Sequence, residues 1–141
     1  QNIKYEYSQG KQLGSIKKVY FIDNGMLNSI SFKFSKDTGK LLENLIFLEL
    51  RRRNQKIFYN RDNYECDFII QEKEKVVQAI QVTENLNSEN EKREVEGILE
   101  AMNKFKLKEG FIITLDEEKK KERKDKKIHV LPVWKWLLGK I

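Results

Sequence analysis

Three polar side chains that could carry out chemistry stand inside apolar stretches of the sequence. Asp67 lies within the run 66–70 and Gln81 within the run 79–82, while Glu43 lies in a leucine-rich stretch. Polar groups in buried elements cost free energy unless they are paired or used. Two carboxylates and an amide oxygen are ligands suited to Mg²⁺ or Mn²⁺, and such a site could activate water to hydrolyse a phosphodiester. The alternative is that the three side chains only bond to one another or to nearby backbone.

The elements around these residues predict how they would be positioned. The stretch 39–53 is apolar nearly all round, which predicts a helix buried on more than one side. Strands are predicted at 56–59, 66–70 and 76–82, and the charged segment between the last two predicts a hairpin. In a suitable register, that hairpin would make Asp67 and Gln81 neighbours, with Glu43 above them.

Strand alternation gives a more detailed expectation for the run 66–70. It places Asp67 and Ile69 on one face of the strand. Cys66, Phe68 and Ile70 would then lie on the opposite face.

The second half of the chain predicts a helix followed by two strands. Ser88 and Glu91 have the spacing of a capping box, and Gly110 lies near the expected C-terminal cap. The helix between them carries an apolar stripe at helical spacing: Val95, Ile98, Leu99, Met102 and Phe105. Strands are predicted at 111–115 and 128–133, with a solvated loop or hairpin tip at 117–127 and a short helix at 134–138. The whole order predicts a mixed α/β sheet with a helix packed on each side.

The N-terminal region is predicted to contribute little to this domain. Residues 1–18 read as a tail or a linker, and the domain is expected to span 19–141. A short strand is predicted at 19–22, and Asp23-Asn24-Gly25 after it is a turn signal.

Composition narrows the class of protein. The chain has 141 residues, the length of one domain, and 39% are hydrophobic, which excludes a disordered polar chain. The longest apolar runs are too short for a membrane span, and no apolar signal region opens the sequence, so a cytoplasmic location is expected. A single cysteine excludes an internal disulfide framework and a cysteine-rich zinc site. The net charge of +6 permits nucleic-acid binding without proving it.

Other familiar catalytic motifs do not fit. Thr38-Gly39-Lys40 suggests a P-loop, but position 34 is not glycine and position 41 is neither serine nor threonine, so ATP hydrolysis by this chain is not expected. Cys66 stands between Glu65 and Asp67, which would raise its pKa rather than activate its thiol. His129 has no activating neighbour in the sequence and is interpreted as a structural or surface residue.

The arrangement of a helical glutamate, a strand aspartate and a Glu or Gln on the next strand resembles the PD-(D/E)XK nuclease signature. The chain is similar in particular to a nuclease-like C-terminal domain of unknown function in prokaryotic AAA-family ATPases. The resemblance covers about residues 17 to 137 and is carried by these phrases: VYFIDNGMLN, GKLLENLIFLELRRR, YECDFII, AIQVT and EVEGILEAMNKFKLKEGFIIT.

This resemblance implies an αβββαβ restriction-endonuclease-like core and roles for individual residues. Glu43 corresponds to the helix acid, Asp67 to the metal-binding acid and Gln81 to the Glu/Gln position, with Mg²⁺ or Mn²⁺ as the implied metal. Thr83 occupies the lysine position, so the charge that supports catalysis there is lost. Arg93 is the nearest candidate replacement, although arginine is a poor proton acceptor. The resemblance also implies upstream ATPase and winged-helix modules, of which residues 1–18 would be the end.

Three functions remain open from the sequence. The first is a catalytically degenerate nuclease-like domain that binds nucleic acid or regulates the intact ATPase. Its candidate phosphate contacts are Arg51, Arg52, Arg53, Arg93 and the run 119–127. The second is an active Mg²⁺- or Mn²⁺-dependent deoxyribonuclease similar to Holliday junction resolvases. The third is a protein-interaction module that uses Trp134 and Trp136, of which one indole is expected in the core and one at its rim.

Overall fold

The computed structural model describes residues 1–6, 11, 14–23, 25 and 38–139. Asn24 and residues 26–37, which the predicted turn and the family resemblance include, lie outside the described residues. The described elements are, in chain order, β1 (Asn2–Ile3), β2 (Lys17–Lys18), α1 (Thr38–Arg52), β3 (Lys56–Arg61), β4 (Glu65–Glu72), β5 (Lys75–Val82), α2 (Glu91–Lys104), β6 (Glu109–Thr114), β7 (Lys119–Arg123), β8 (Lys126–Pro132) and α3 (Val133–Leu137).

A mixed six-stranded sheet forms the centre of the fold, with strand order β3-β4-β5-β6-β8-β7. Strands β3, β4 and β5 pair antiparallel as consecutive hairpins. The crossover through α2 makes β6 parallel to β5, and β8 is parallel to β6. This architecture confirms the predicted α/β class, and the order from α1 to β6 follows the predicted αβββαβ sequence of elements.

Both faces of the sheet are covered by helices, because the central strands are apolar on both sides. Helix α2 packs on one face through Ile98 and Met102, which are fully buried. Helices α1 and α3 pack on the other face, where Ile46 and Trp136 are buried. The prediction that one indole lies in the core and the other at its rim is confirmed, since Trp136 is 2% exposed and Trp134 is 53% exposed. None of the helices in the described ranges has the length and apolar character needed to cross a bilayer.

The alternation predicted along β4 is wrong at Cys66. Asn60 pairs with Cys66 and Phe58 with Ile69, so one residue of β3 faces two residues of β4 between these pairs. This shift of register places Cys66 in the same core cluster as Ile69, whereas Phe68 lies in the other cluster. Bulges of this kind often re-aim a side chain next to a functional site.

The strand predicted at 19–22 is also wrong. The short strand is β2, which lies directly before the predicted run, and it pairs with β1. The Asn44 side chain instead satisfies the backbone of Phe21, accepting from its N–H at 2.8 Å and donating to its carbonyl at 3.1 Å. A side chain of α1 therefore replaces the neighbouring strand that the sequence pattern suggested.

Both predicted boundaries of α2 need correction. The capping box at Ser88 does not form, because the Asn87 side chain accepts from the N–H groups of Glu89 and Asn90 and holds a turn there. The helix begins at Glu91 and ends at Lys104. Lys106 adopts a positive φ of 57° after the helix, so the chain turns without a glycine. Gly110 lies inside β6, where it faces the side chains of α2.

The charged segment 117–127 is more ordered than a loop. It contains the edge strand β7, which pairs with β8 over its whole length. Its lysines gain partners: Lys121 pairs with Glu91 of α2 at 2.6 Å, and Lys119 with Glu117 at the same distance. A charged edge strand also discourages pairing with another chain, so this composition is compatible with a strand.

Residues 1–6 contact the sheet. The Tyr5 N–H donates to the Tyr59 carbonyl at 2.8 Å, and the Tyr5 ring lies edge-on to Phe58 and Phe105 in the core. The domain boundary at residue 19 stays a prediction.

Candidate functional site

A polar cleft of about 780 Å³ opens where α1 and α2 begin, above the start of β4 and the end of β5. The three predicted site residues Glu43, Asp67 and Gln81 all line it, and so do Thr83 and Arg93. The structure therefore brings together residues that the sequence separates by as many as 50 positions. Asp67, Gln81 and Thr83 are buried at its base.

Asp67 is fixed by the hairpin that the sequence predicted. Phe68 pairs with Ile80 across β4 and β5, which makes Asp67 and Gln81 neighbours. The Asp67 N–H donates to the Gln81 Oε1 at 3.2 Å, and the Asp67 Oδ2 accepts from the Val82 N–H at 2.9 Å. The side chains of the two strands are thus bonded to the backbone of their partners.

Glu94 is a member of the site that the sequence reasoning missed. Its side chain is buried, and its Oε2 accepts a 2.6 Å hydrogen bond from the Gln81 Nε2. Arg93, the candidate replacement for the lysine, donates to the Glu94 oxygen that Gln81 does not contact. The available signal was position: Glu94 precedes Ile98 by four residues and so shares the buried stripe of α2.

Thr83 is engaged in the loop that leads to α2. Its hydroxyl donates to the Asn85 carbonyl at 3.1 Å and accepts from the Asn90 side chain at 3.3 Å. The residue at the lysine position therefore supports the entry to the helix.

The cation beside the acidic side chains is Lys18, from the region predicted to be a tail. Its Nζ lies 2.8 Å from the carboxylate oxygens of Glu43, Glu65 and Asp67. The Tyr20 hydroxyl donates to the Glu43 Oε1 at 2.6 Å. Lys18, Tyr20 and Glu65 are thus further members of the site that local sequence patterns did not indicate.

Burial and charge shift the acid–base properties of this cluster. Burial is the main reason that the pKa of Asp67 is raised to about 7. The Glu43 carboxylate adds to this rise, and the Lys18 charge opposes it. Burial lowers the pKa of Lys18, but the carboxylates of Asp67 and Glu43 outweigh that effect and leave its pKa above the ordinary value. Burial also raises the pKa of the Cys66 thiol, and Asp67 adds to this, as the sequence predicted. Cys66 is therefore held as an unreactive thiol.

Gly97 allows α2 to reach the cleft. A Cβ at this position would overlap the backbone carbonyl oxygen of Glu65, and it would also touch the Gln81 Oε1. The close approach of helix and strand brings Glu94 within hydrogen-bond distance of Gln81. A glycine is needed here for space rather than for an unusual backbone conformation.

The predicted basic patch at the end of α1 is largely occupied by contacts within the chain. Arg52 and Arg53 both donate to Glu49 at 2.7 Å, and the Arg52 hydrogen bond lowers the pKa of Glu49 to about 2. Arg53 also lies 4.6 Å from the ring centre of Trp136 and donates to the Leu137 carbonyl. Arg51 is exposed to solvent. Arg53 therefore ties the end of α1 to α3.

Residues 38–136 match a family described as a domain of unknown function, DUF4143. The chain belongs to this family. A relative named as an uncharacterized protein of Methanocaldococcus jannaschii is 42% identical over an alignment that covers 88% of this chain. The chain spans only 30% of the length of that relative. No solved structure matches the chain significantly.

In this DUF4143 domain, Lys18 and Tyr20 lie upstream of the part that matches the family, whereas Glu43, Glu65 and Asp67 lie inside it. The carboxylates that the nuclease resemblance assigns to a metal are therefore in contact with an ammonium group from outside the match. Among the residues described, no group of three or more His, Cys, Asp or Glu side chains is arranged to hold a metal ion. The site as it stands does not fit Mg²⁺ or Mn²⁺, because an ammonium group already contacts the same oxygens.

Proposed function

We propose that this DUF4143 domain binds nucleic acid at its cleft without cleaving it, as a nuclease-like part of a larger ATPase. The observation that carries this proposal is the bonding of Gln81 and Thr83. The Gln81 amide is bonded at both ends, to the Asp67 N–H and to Glu94. The Thr83 hydroxyl is bonded to Asn85 and Asn90. Gln81 and Thr83 are thus both used to hold the fold.

The absence of cleavage follows from the chemistry of those two positions. A metal-dependent nuclease needs anionic ligands for its cation and a positive group that stabilises charge on the phosphate. Gln81 supplies a dipole in place of a charge, and its amide nitrogen points to Glu94. Thr83 supplies a neutral hydroxyl that already has two partners.

Binding of nucleic acid is supported by the cations around the cleft. Lys40, Arg61 and Arg93 line it. The Arg61 and Arg93 side chains pair with Glu65 and Glu94, but both are mostly exposed to solvent. The chain carries a net charge of +6, which favours association with phosphate. Asn63, Asn85 and Asn87 line the same cleft and could donate hydrogen bonds to phosphate or sugar oxygens. The ATPase context rests on the family resemblance, and it is compatible with a relative more than three times longer than the aligned region.

Fluorescence anisotropy with labelled single-stranded and duplex DNA and RNA tests the binding. We expect binding at low salt that weakens steeply between about 50 and 200 mM salt, because released counterions drive it. Arg61→Ala with Arg93→Ala should weaken binding. Lys73→Ala with Lys75→Ala, an equal loss of charge on exposed residues at the far end of the β4–β5 hairpin, should not. Equal binding by both double variants would show that nucleic acid binds outside the cleft. The triple alanine variant of Arg51, Arg52 and Arg53 then tests the end of α1.

Cleavage is tested with plasmid and branched DNA in Mg²⁺ or Mn²⁺. The parent chain should leave both substrates uncut, and Asp67→Ala should not change that result. Cleavage by the parent that Asp67→Ala abolishes would overturn the proposal in favour of an active nuclease. Absence of binding at low salt would favour a protein-interaction module, for which exposed Trp134 is the first residue to change.

A further inference from the structure

We infer that Lys18 is a built-in counter-ion of the acidic cluster and that it keeps divalent cations out of the cleft. Lys18 is carried by an N-terminal strap, defined here as residues 14–23. The inference concerns the same cleft as the proposed function, but it does not require the cleft to bind nucleic acid.

The contacts of the ammonium group match its bonding capacity. A lysine ammonium has three N–H donors and no acceptor. Three carboxylates, of Glu43, Glu65 and Asp67, each place an oxygen 2.8 Å from the Lys18 Nζ. This distance is typical of a charge-assisted hydrogen bond between an ammonium and a carboxylate. The lysine therefore takes the oxygen atoms that a divalent cation would need.

The strap holds Lys18 from both sides along the chain. Before it, the Ile16 carbonyl accepts a 2.6 Å hydrogen bond from the Tyr59 hydroxyl. After it, the Tyr20 ring stacks on Phe47 with 4.1 Å between ring centres and an angle of 6° between planes. Because contacts two residues before and two residues after Lys18 hold the strap, the Lys18 side chain enters the cluster from a chain segment that is already ordered.

The far end of the strap is anchored on α1. Phe21 exchanges two hydrogen bonds with the Asn44 side chain, and Asn44 lies next to Glu43 in the helix. The same turn of α1 thus supplies both a carboxylate for Lys18 and the anchor of the strap that carries it. A cation that enters the site has to displace a lysine held by this whole set of contacts.

Mn²⁺ binding tests the inference directly. The metal-free chain is titrated with Mn²⁺, and free Mn²⁺ is measured by electron paramagnetic resonance. The wild-type chain should show no saturable binding at the cluster, whereas Lys18→Met should bind Mn²⁺ and gain thermal stability from it. Lys17→Met is the matched control, because Lys17 is the exposed neighbour on β2 and its loss changes the net charge equally. It should behave as the wild type.

A second variant covers the case in which Lys18→Met does not fold. Lys18→Met with Glu65→Gln removes one positive and one negative charge together, and it should also gain Mn²⁺ binding through Glu43 and Asp67. Saturable Mn²⁺ binding by the wild type that Asp67→Asn abolishes would overturn the inference. So would folded Lys18 variants that bind no more Mn²⁺ than Lys17→Met. These outcomes are separate from the anisotropy and cleavage assays, so the two proposals can fail independently.

Discussion

The Gln81 side-chain amide donates a 2.6 Å hydrogen bond to the buried carboxylate of Glu94, which is only 3% exposed. The two residues belong to β5 and α2, and their contact joins the sheet to the helix at the edge of the cleft. An amide is well suited to this place, because it donates to Glu94 with one end and accepts from the Asp67 N–H with the other. A carboxylate at position 81 would face the Glu94 carboxylate without an intervening proton.

Gln81→Glu should therefore lower the free energy of unfolding at neutral pH, by about 1–3 kcal/mol for a buried group that loses its partner. Exchanging the two residues, Gln81→Glu with Glu94→Gln, should recover most of that loss because the hydrogen bond re-forms in the opposite direction. Urea denaturation of the single and double variants measures the coupling. A double variant no more stable than Gln81→Glu would show that this contact does not govern the site.

The same contact bears on any attempt to complete the nuclease motif that the sequence resembles. Gln81→Glu with Thr83→Lys restores the charges of the motif, but it leaves Glu94 opposite the new carboxylate and removes the hydroxyl that bonds to Asn85 and Asn90. We expect no Mg²⁺-dependent cleavage of plasmid DNA from this double variant. Glu94→Gln and Lys18→Met, added to the double variant, would remove the facing carboxylate and the competing ammonium group, so cleavage is expected sooner from this combination. Robust cleavage by the simple double variant would contradict this account of the site.

Asp67 should titrate well above an ordinary aspartate, because burial raises its pKa to about 7. The folded state then keeps a proton that the unfolded chain releases at lower pH. The contribution of Asp67 to stability is full below the unfolded pKa and is lost as the pH rises through the folded pKa. The stability of the wild type relative to Asp67→Asn should thus fall as the pH rises from about 4 to 8.

Carboxyl ¹³C NMR measures this titration at the residue itself. The midpoint for Asp67 should lie near neutral pH, and Lys18→Met should move it upward, because the Lys18 charge lowers the pKa. Asp62 serves as the internal control, since its contacts with Lys104 help to hold its pKa below the ordinary value against the opposing effect of burial. A midpoint for Asp67 at or below that of Asp62 would show that the carboxylate is not buried as described.

Gly97→Ala should destabilise the fold and loosen the cleft. The added methyl group would overlap the Glu65 carbonyl oxygen, a backbone atom that cannot turn aside. Overpacking of this kind costs about 1–3 kcal/mol. Gly14→Ala is the matched control, because a Cβ there meets no heavy atom of the described chain within 4 Å. Equal melting temperatures for both variants would mean that α2 does not approach β4 so closely.

Ile98 should matter more to stability than its neighbour Leu99. Ile98 is fully buried against the sheet, whereas Leu99 is only partly buried at the side of α2. Ile98→Ala should cost about 2–5 kcal/mol, the usual range for a buried aliphatic side chain. The cost of Leu99→Ala should be clearly smaller, although the sequence pattern alone gave the two residues equal weight. Thermal or urea denaturation of both variants decides the order.

Local patterns in the sequence determined most of the secondary structure. Apolar periodicity located α1 and α2, and alternating or continuous apolar runs located β3, β4, β5, β6 and β8. These signals succeed because each element must turn an apolar face to the core, and that requirement repeats every two or about 3.6 residues. The predicted hairpin from β4 to β5 allowed Asp67 and Gln81 to be neighbours, and the register of the folded hairpin makes them so.

Element boundaries and edges were decided by contacts that periodicity does not record. The Asn87 side chain accepts hydrogen bonds in the turn before α2, where the capping box was predicted. After α2, Lys106 turns the chain by adopting a positive φ. The lysines of β7 gained a strand conformation by pairing with β8 and with acidic neighbours. A one-residue shift between β3 and β4 moved Cys66 to the other face of the sheet.

The composition of the site was decided by tertiary structure. The sequence by itself determined that Asp67 and Gln81 stand in buried strands and that position 83 lacks a lysine. Only the folded chain placed Lys18 against Glu43, Glu65 and Asp67, and Glu94 against Gln81. The physical reason is that a charge in the N-terminal strap and a carboxylate in a distant strand share no periodic signal. Their contact depends on the path of the chain across α1 and on the space that Gly97 leaves between α2 and β4.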